Sequence, residues 1–98
     1  MSLPLEFHPA VRGEIDDAHD WYEQRRPGLG RDLLDAVERV LAEITANPAR
    51  YGFADGDIRE GLLNRFPYAI YYRVLTDRIR VLAVYHTSRD PSEWQSRA

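Results

Sequence analysis

The feature that most constrains the fold is a pair of aromatic and β-branched segments in the second half of the chain. These segments, 65–74 and 79–86, are separated by only four residues. Two such runs joined by so short a connection predict a β-hairpin. A two-residue turn at Thr76 and Asp77 would fix which residues face each other across the hairpin. Arginines and a histidine lie within these strands, and a hairpin that only built a core would not need them.

The predicted turn also assigns side chains to the two faces of the hairpin, because they alternate along a strand. One face is apolar or aromatic and should meet the helices; it carries the pairs Val74/Ile79, Tyr72/Val81 and Ile70/Ala83. The other carries the pairs Arg73/Arg80, Tyr71/Leu82 and Ala69/Val84, with His86 at its end. Like charges directly opposite each other are unfavourable. This second face therefore predicts either a surface that binds an anionic partner or arginines that are simply exposed to solvent.

The first half of the chain predicts one strand and two helices. Residues 3–7 alternate between apolar and other residues, and Pro4 favours an edge position for that strand. Apolar residues at helical spacing predict helices over 9–26 and 29–47. The Pro-Gly turn at 27–28 is so short that the two helices should form an antiparallel hairpin.

The remaining segments complete a small α+β domain. Residues 49–57 are predicted as a loop, 58–63 as a strand, and 90–94 as the start of one helical turn. The element order is then β-α-α-β-β-β. We expect a single domain over residues 1–98, in which the two-helix antiparallel hairpin packs on one face of a small, mostly antiparallel sheet.

Charge is divided unevenly along the chain. The net charge is −3, but residues 1–57 hold 12 acids and 6 arginines, whereas residues 58–98 hold 4 acids and 7 arginines. All 13 basic residues are arginine, whose planar fork suits carboxylates and phosphates. The basic second half therefore favours an anionic partner.

Several classes of site are disfavoured by the sequence. There is no cysteine, and His8, His19 and His86 do not lie at a chelating helical spacing, so we expect no metal. No glycine-rich phosphate loop is present, and we expect no cofactor. The chain has no apolar run long enough to span a membrane and no signal-like start, which predicts a cytoplasmic protein without membrane contact.

Short motifs along nearly the whole chain carry a resemblance to a known family. They are Phe7-His8-Pro9-Ala10, Trp21-Tyr22-Glu23, Pro27-Gly28-Leu29-Gly30, Asn47-Pro48, Ile58-Arg59, Arg65-Phe66-Pro67-Tyr68, Ile70-Tyr71-Tyr72-Arg73-Val74, His86 and Arg89-Asp90-Pro91. In this order and spacing they resemble the RelE/ParE superfamily of type II toxin–antitoxin toxins, and are closer to its ParE, or plasmid-stabilisation, branch. The fold of that superfamily agrees with the predicted β-α-α-β-β-β order.

The resemblance implies a cytoplasmic bacterial toxin that a cognate antitoxin holds inactive in a toxin–antitoxin hetero-oligomer. ParE-like toxins are associated with blocking DNA gyrase by protein contact, so the expected target is gyrase and the expected action needs no catalytic chemistry. Direct DNA binding is not expected of an acidic chain, except through the antitoxin. The residues that we expect to contact partners are Arg59, Tyr71, Arg73, Arg80, His86 and Arg89.

Two alternatives follow from the same resemblance. RelE-like toxins are ribosome-dependent mRNA endoribonucleases, and such cleavage needs a base, an acid and cations for the phosphate. In that case Arg65, Arg73 and Arg80 would bind phosphate and His86 would transfer protons. The absence of lysine departs from the lysine-using nucleases of the superfamily. The other alternative is an inactive relative that only binds an antitoxin.

Overall fold

A computed structural model describes residues 2–98 of the chain. Its elements, in chain order, are β1 (Leu5–Phe7), α1 (Val11–Arg25), α2 (Leu29–Ala46), β2 (Phe53–Asp55), β3 (Ile58–Leu62), β4 (Tyr68–Val74), β5 (Ile79–His86) and α3 (Ser92–Gln95). The predicted order is confirmed with one correction, because part of the segment predicted as a loop forms the strand β2. This strand is too short to show a periodic pattern. The tight turn that pairs it with β3 contains Gly56 in the left-handed region at φ 54°.

The five strands form one sheet in the order β1-β5-β4-β3-β2. β1 pairs with β5 in parallel, and all other neighbours are antiparallel. β1 lies at one edge of the sheet, as Pro4 predicted, and β2 lies at the other. None of the helices described in residues 2–98 has the length and apolar character needed to cross a membrane.

The sheet has a core on each of its faces. On the helix side, α1 and α2 bury their apolar stripes against β4 and β5; its fully buried members include Leu33, Ile44, Tyr72 and Val81. The opposite side, which we call the outer face, carries a second and smaller core. Its buried members are Ile58, Ala69, Tyr71, Leu82, Ala83, Tyr85 and, from α3, Trp94. The central strands β4 and β5 are therefore covered on both faces of the sheet.

The hairpin register agrees with the prediction near the turn and then changes. Arg73 pairs with Arg80, and the N–H of Leu75 donates to the carbonyl of Arg78 at 2.8 Å. Beyond the Tyr72–Val81 pair the register shifts by one residue, which is a β-bulge in β5.

The bulge overturns part of the predicted face assignment. Leu82 and Ala83 both belong to the outer core, and Val84 turns back to the helix side. The predicted placement of Ala83 on the helix side and Val84 on the outer face was therefore wrong. Every residue at this point is apolar, so the pattern contained no sign of the shift.

Candidate functional site

The two arginines that face each other on the outer face are both neutralised by acids of the same chain. The Nε of Arg73 donates to both carboxylate oxygens of Asp57 at 3.1 Å, and its Nη2 donates to Oδ2 at 2.9 Å. Arg80 donates to the carboxylate of Glu6 on β1. A charge-assisted fork of this kind is among the stronger side-chain contacts. The anionic groups that the paired arginines required are supplied from within the chain.

These contacts fix the charge state of both acids. Hydrogen bonds from Arg80 and then Arg78 hold the pKa of Glu6 below its usual range. The hydrogen bond from Arg73 does the same for Asp57. Both carboxylates therefore stay ionised and paired at neutral pH. An external anion would have to displace them to reach Arg73 and Arg80.

Tyr71, a further predicted contact residue, is covered by the last helix. Its ring stacks on Trp94 with centroids 4.0 Å apart and planes 10° apart, and Trp94 is only 4% exposed. The Tyr71 hydroxyl donates to Glu60 Oε2 at 2.8 Å. Burial and this carboxylate raise the pKa of Tyr71, so the hydroxyl remains a donor. On the outer face, α3 therefore covers Tyr71.

The bulge places His86 on the other face of the sheet from Arg73 and Arg80. Its ring packs edge-on against Tyr68 at 5.1 Å, on the side of α1, and its Nδ1 accepts the N–H of Ser88 at 3.1 Å. Had β5 alternated regularly from Arg80, His86 would share the outer face with the arginines. The structure thus separates the predicted proton-transfer group from two of the predicted phosphate ligands by the thickness of the sheet.

Arg59 lies on the helix side and organises a chain connection. Its Nη1 donates to the carbonyl oxygens of Tyr51 at 2.6 Å and Ala49 at 3.3 Å. The guanidinium also lies 4.0 Å from the ring centroid of Phe53, which is itself 62% exposed. These contacts hold the segment between α2 and β3.

Arg65 and Arg89 are the two exposed arginines of the predicted set. Arg65 has φ 74°, in the left-handed region that is unusual for a non-glycine residue, and its Nη2 lies 3.6 Å from Asp32. Arg89 follows β5 and lies over the ring of Tyr85 at 4.9 Å. Within residues 2–98, Arg89 has no ion-pair partner. Arg65 is therefore tied to α2, whereas Arg89 offers its charge to solvent.

Beyond Val81, where its pairing with β1 ends, β5 is closed by a largely buried ion pair. Glu14 Oε1 accepts the N–H of Val84 at 3.0 Å, and Arg97 Nη1 donates to the carbonyl of Leu82 at 3.0 Å. Glu14 and Arg97 also contact each other at 2.7 Å, with side chains only 16% and 12% exposed. No sequence pattern indicated this arrangement, because Glu14 lies 70 residues from Val84 along the chain.

A groove between α1 and the end of β5 was also missed. It encloses about 390 Å³, and its lining includes Asp17, Trp21, Tyr22, Tyr68, His86 and Arg89. Tyr22 has a packing role, since its ring meets that of Phe66 at 4.9 Å. Trp21, however, is 50% exposed at the groove. Only its aromatic type distinguished it in the sequence.

The predicted nuclease set does not converge in one cleft. His86 lines the groove beside α1, Arg65 lies beside α2, and Arg73 and Arg80 are on the outer face. General acid–base catalysis requires its groups to be within hydrogen-bond reach of one substrate position. In the part of the chain from 2 to 98, no cluster of three His, Asp or Glu side chains is arranged to hold a metal ion.

Comparison with known proteins gives three results. The profile of the family described as the ParE toxin of the type II toxin–antitoxin system parDE matches residues 5–91. A structure of the chromosomal ParDE toxin–antitoxin system from P. aeruginosa is similar at 18% identity and a TM-score of 0.68, covering 89% of this chain and 98% of that one. The RelBE2 toxin–antitoxin complex from Mycobacterium tuberculosis is similar at 18% identity and a TM-score of 0.57, covering 88% and 99%. No curated protein sequence gives a significant match.

The two structural similarities concern the fold, and they agree with the α+β architecture described above. The family match is of a different kind, because it extends from β1 to the residue before α3. It therefore includes both helices, the whole sheet and the arginines of the outer face. This chain belongs to the ParE toxin family of type II toxin–antitoxin systems.

Proposed function

We propose that this toxin inhibits DNA gyrase by protein contact and that a cognate antitoxin neutralises it in a hetero-oligomeric complex. Membership of the ParE family supports the toxin role. The similar structures come from a ParDE system and a RelBE2 complex, which supports an antitoxin partner. A gyrase target would place the protein in the bacterial cytoplasm.

The observation that carries the proposal is the separation of His86 from Arg73 and Arg80 across the sheet. An endoribonuclease needs its proton-transfer group and its phosphate ligands around one scissile bond. An inhibitor that acts by contact has no such requirement, because its surfaces can lie on different faces. The geometry therefore favours contact over RNA cleavage.

The six predicted contact residues are proposals within this function. Arg73 and Arg80 would take carboxylates of a partner in exchange for Asp57 and Glu6. Such an exchange suits an acidic segment that folds on binding. The full set is Arg59, Tyr71, Arg73, Arg80, His86 and Arg89.

Two parallel assays test the choice of target. Purified toxin is added to gyrase in a DNA supercoiling assay, and to translating ribosomes whose mRNA ends are then mapped. We expect loss of supercoiling with intact mRNA. Codon-phased cleavage that disappears in His86→Ala would establish the nuclease alternative instead.

Expression in cells tests the antitoxin relationship. We expect the toxin alone to arrest growth, and co-expression of the small protein encoded beside it to restore growth and to co-purify with the toxin. Binding without any growth defect would instead identify an inactive relative. Growth arrest that the neighbouring protein does not relieve would contradict neutralisation by that partner.

A further inference from the structure

The hydroxyl of Ser88 donates a hydrogen bond to a histidine side chain at the end of β5. Its Oγ lies 2.8 Å from Nδ1 of His86. The same nitrogen accepts the backbone N–H of Ser88 at 3.1 Å, so it carries a lone pair and the ring proton is on Nε2. A ring nitrogen without a proton can only accept, and the Ser88 hydroxyl is therefore the donor. The two side chains thus have the relationship of a nucleophile and its general base, which lie about 2.6–3.2 Å apart.

The turn that follows β5 fixes this geometry. The N–H of Arg89 donates to the carbonyl of His86 at 3.2 Å, which closes a turn over residues 86–89. The N–H of Thr87 donates to the carbonyl of Pro67 at 2.9 Å and ties the turn to the segment before β4. The His86 ring is held edge-on by Tyr68 at 5.1 Å. Because the turn and the ring are both positioned by their neighbours, the hydroxyl and its base are preorganised.

Three other hydroxyls of the chain are bound in a different way. Thr45, Thr87 and Ser96 donate to backbone carbonyl oxygens, at 2.9, 3.2 and 3.0 Å. A carbonyl oxygen is too weak a base to take a proton at neutral pH, whereas an imidazole does so. Ser88 is also exposed to solvent. Its hydroxyl is therefore both accessible and activated.

The surroundings of the turn favour an uncharged electrophile. Arg89 follows Ser88 directly and has no ion-pair partner within residues 2–98, so its charge is available to stabilise an oxygen that becomes negative. His86 and Arg89 both line the groove beside α1, whose lining also includes the carboxylate of Asp17. A carboxylate repels a phosphate dianion but not a neutral ester. The setting thus suits acyl transfer better than phosphoryl transfer.

We propose that Ser88 is an acylation site, which takes an acyl group from an activated carboxylic ester. The Ser88 Oγ attacks the carbonyl carbon of the ester, and its proton passes to Nδ1 of His86. The bond from that carbon to the leaving oxygen then breaks, and the imidazolium returns the proton to the leaving oxygen. The product is an ester of Ser88, next in the chain to a residue proposed to contact partners, Arg89. The site requires neither the gyrase target nor the antitoxin.

The reaction of the purified toxin with p-nitrophenyl acetate at neutral pH tests this site. The chain has no lysine and no cysteine, whose side chains would otherwise compete for the ester. We expect a burst of about one equivalent of p-nitrophenolate, the kinetic sign of an acyl intermediate. Mass spectrometry of the tryptic peptide 81–89 should then place the acetyl group on Ser88.

Variants separate the nucleophile from its base. Ser88→Ala should abolish the burst. His86→Ala should lower the rate of acetylation about a hundredfold, as expected when a general base is lost, and Arg89→Gln should also lower it. Two matched controls, Ser96→Ala and His19→Ala, remove another exposed hydroxyl and another imidazole, and should leave the rate unchanged.

Two results would overturn the acylation site. Equal acetylation of Ser88, Ser92 and Ser96 would show that the Ser88 hydroxyl is not activated. A burst that survives in Ser88→Ala would assign the reactivity to an imidazole acting alone. The circular dichroism spectrum of each variant shows whether it is folded, and Ser88→Ala, which changes only an exposed turn residue, tests the site even if His86→Ala fails to fold.

Discussion

Arg97 and Glu14 form an ion pair at 2.7 Å that joins the segment after α3 to helix α1 beside β5. Together they also bind two backbone groups of β5 that lie beyond its pairing with β1, the N–H of Val84 and the carbonyl of Leu82. Buried backbone polar groups of this kind need such partners. The pair therefore links three distant parts of the chain at one point.

Removing one member of this pair should be strongly destabilising. In Glu14→Ala, the Arg97 guanidinium loses its carboxylate and the Val84 N–H loses its hydrogen-bond acceptor. We expect the free energy of unfolding to fall by about 2–3 kcal/mol. Urea denaturation measures this. A double-mutant cycle with Arg97→Ala should give a large coupling energy. Once Glu14 is absent, Arg97 has lost its ion pair, so its removal should cost less stability than it does in the wild type. Additive effects would show that the two side chains act independently.

Trp94→Ala should expose the outer core. The ring of Trp94 covers Tyr71 and is almost completely buried, so its loss is expected to reduce stability by about 3 kcal/mol. Trp94→Phe should recover part of this loss because a ring remains on Tyr71. Urea denaturation followed by circular dichroism measures the loss, because both variants lack the buried tryptophan and the remaining Trp21 is half exposed. An unchanged urea midpoint in Trp94→Ala would mean that α3 adds nothing to stability.

Two glycines should respond in opposite directions to alanine. A Cβ at Gly61 would lie 2.9 Å from Cγ1 of the buried Val40, so Gly61→Ala is expected to reduce stability by about 1–3 kcal/mol. Nothing lies within 4 Å of a Cβ at Gly13 in α1, and Gly13→Ala should stabilise by about 0.5–1 kcal/mol. Thermal unfolding of both variants checks the contrast. Equal shifts would show that β3 and α2 do not pack closely at Gly61.

Variants of the Arg73–Asp57 pair should change partner affinity in opposite directions. If a partner carboxylate replaces Asp57 on Arg73, then Asp57→Asn should strengthen partner binding by a few-fold because the internal competitor has lost its charge. Arg73→Ala, in contrast, should weaken binding about tenfold. The affinity of each variant for the antitoxin, measured at fixed ionic strength, tests this prediction. If both variants bind as wild type does, the arginine is only solvated and internally paired.

Acid should abolish the contribution of the Arg73–Asp57 pair. Because the native pKa of Asp57 is lowered, the unfolded chain binds this proton more readily, and the pair stabilises the native state above the unfolded pKa. The difference in Tm between wild type and Asp57→Asn should therefore be constant above about pH 5 and vanish as the pH falls through about 4 and below. High salt at pH 7 should also reduce this difference. A Tm difference that persists at pH 2.5 would show that the substitution acts through packing or hydrogen bonding and not through the charge of Asp57.

Local patterns of the sequence were enough for most of the elements. Helical spacing placed α1 and α2, and the turn at Thr76 and Asp77 gave the hairpin register as far as Val81. Pro4 favoured an edge position for β1, but the sequence left a central position open. The motifs along the chain also identified the family that the profile match shows. Each of these features depends on residues close together in the sequence, so propensity and spacing carry the information.

Tertiary structure decided which charged residues can act together. Asp57 and Glu6 reach the arginines across strand neighbours that are 16 and 74 residues away in the sequence, a distance at which no pattern is visible. The residues around the bulge in β5 are all apolar, so the sequence pattern fits the regular and the shifted register equally well. The bulge nevertheless moves His86 to the opposite face from Arg80. A one-residue shift reverses every later side chain because strands alternate with a period of two. The sequence by itself thus determined most of the elements and the family, and only the packed sheet determined the surfaces.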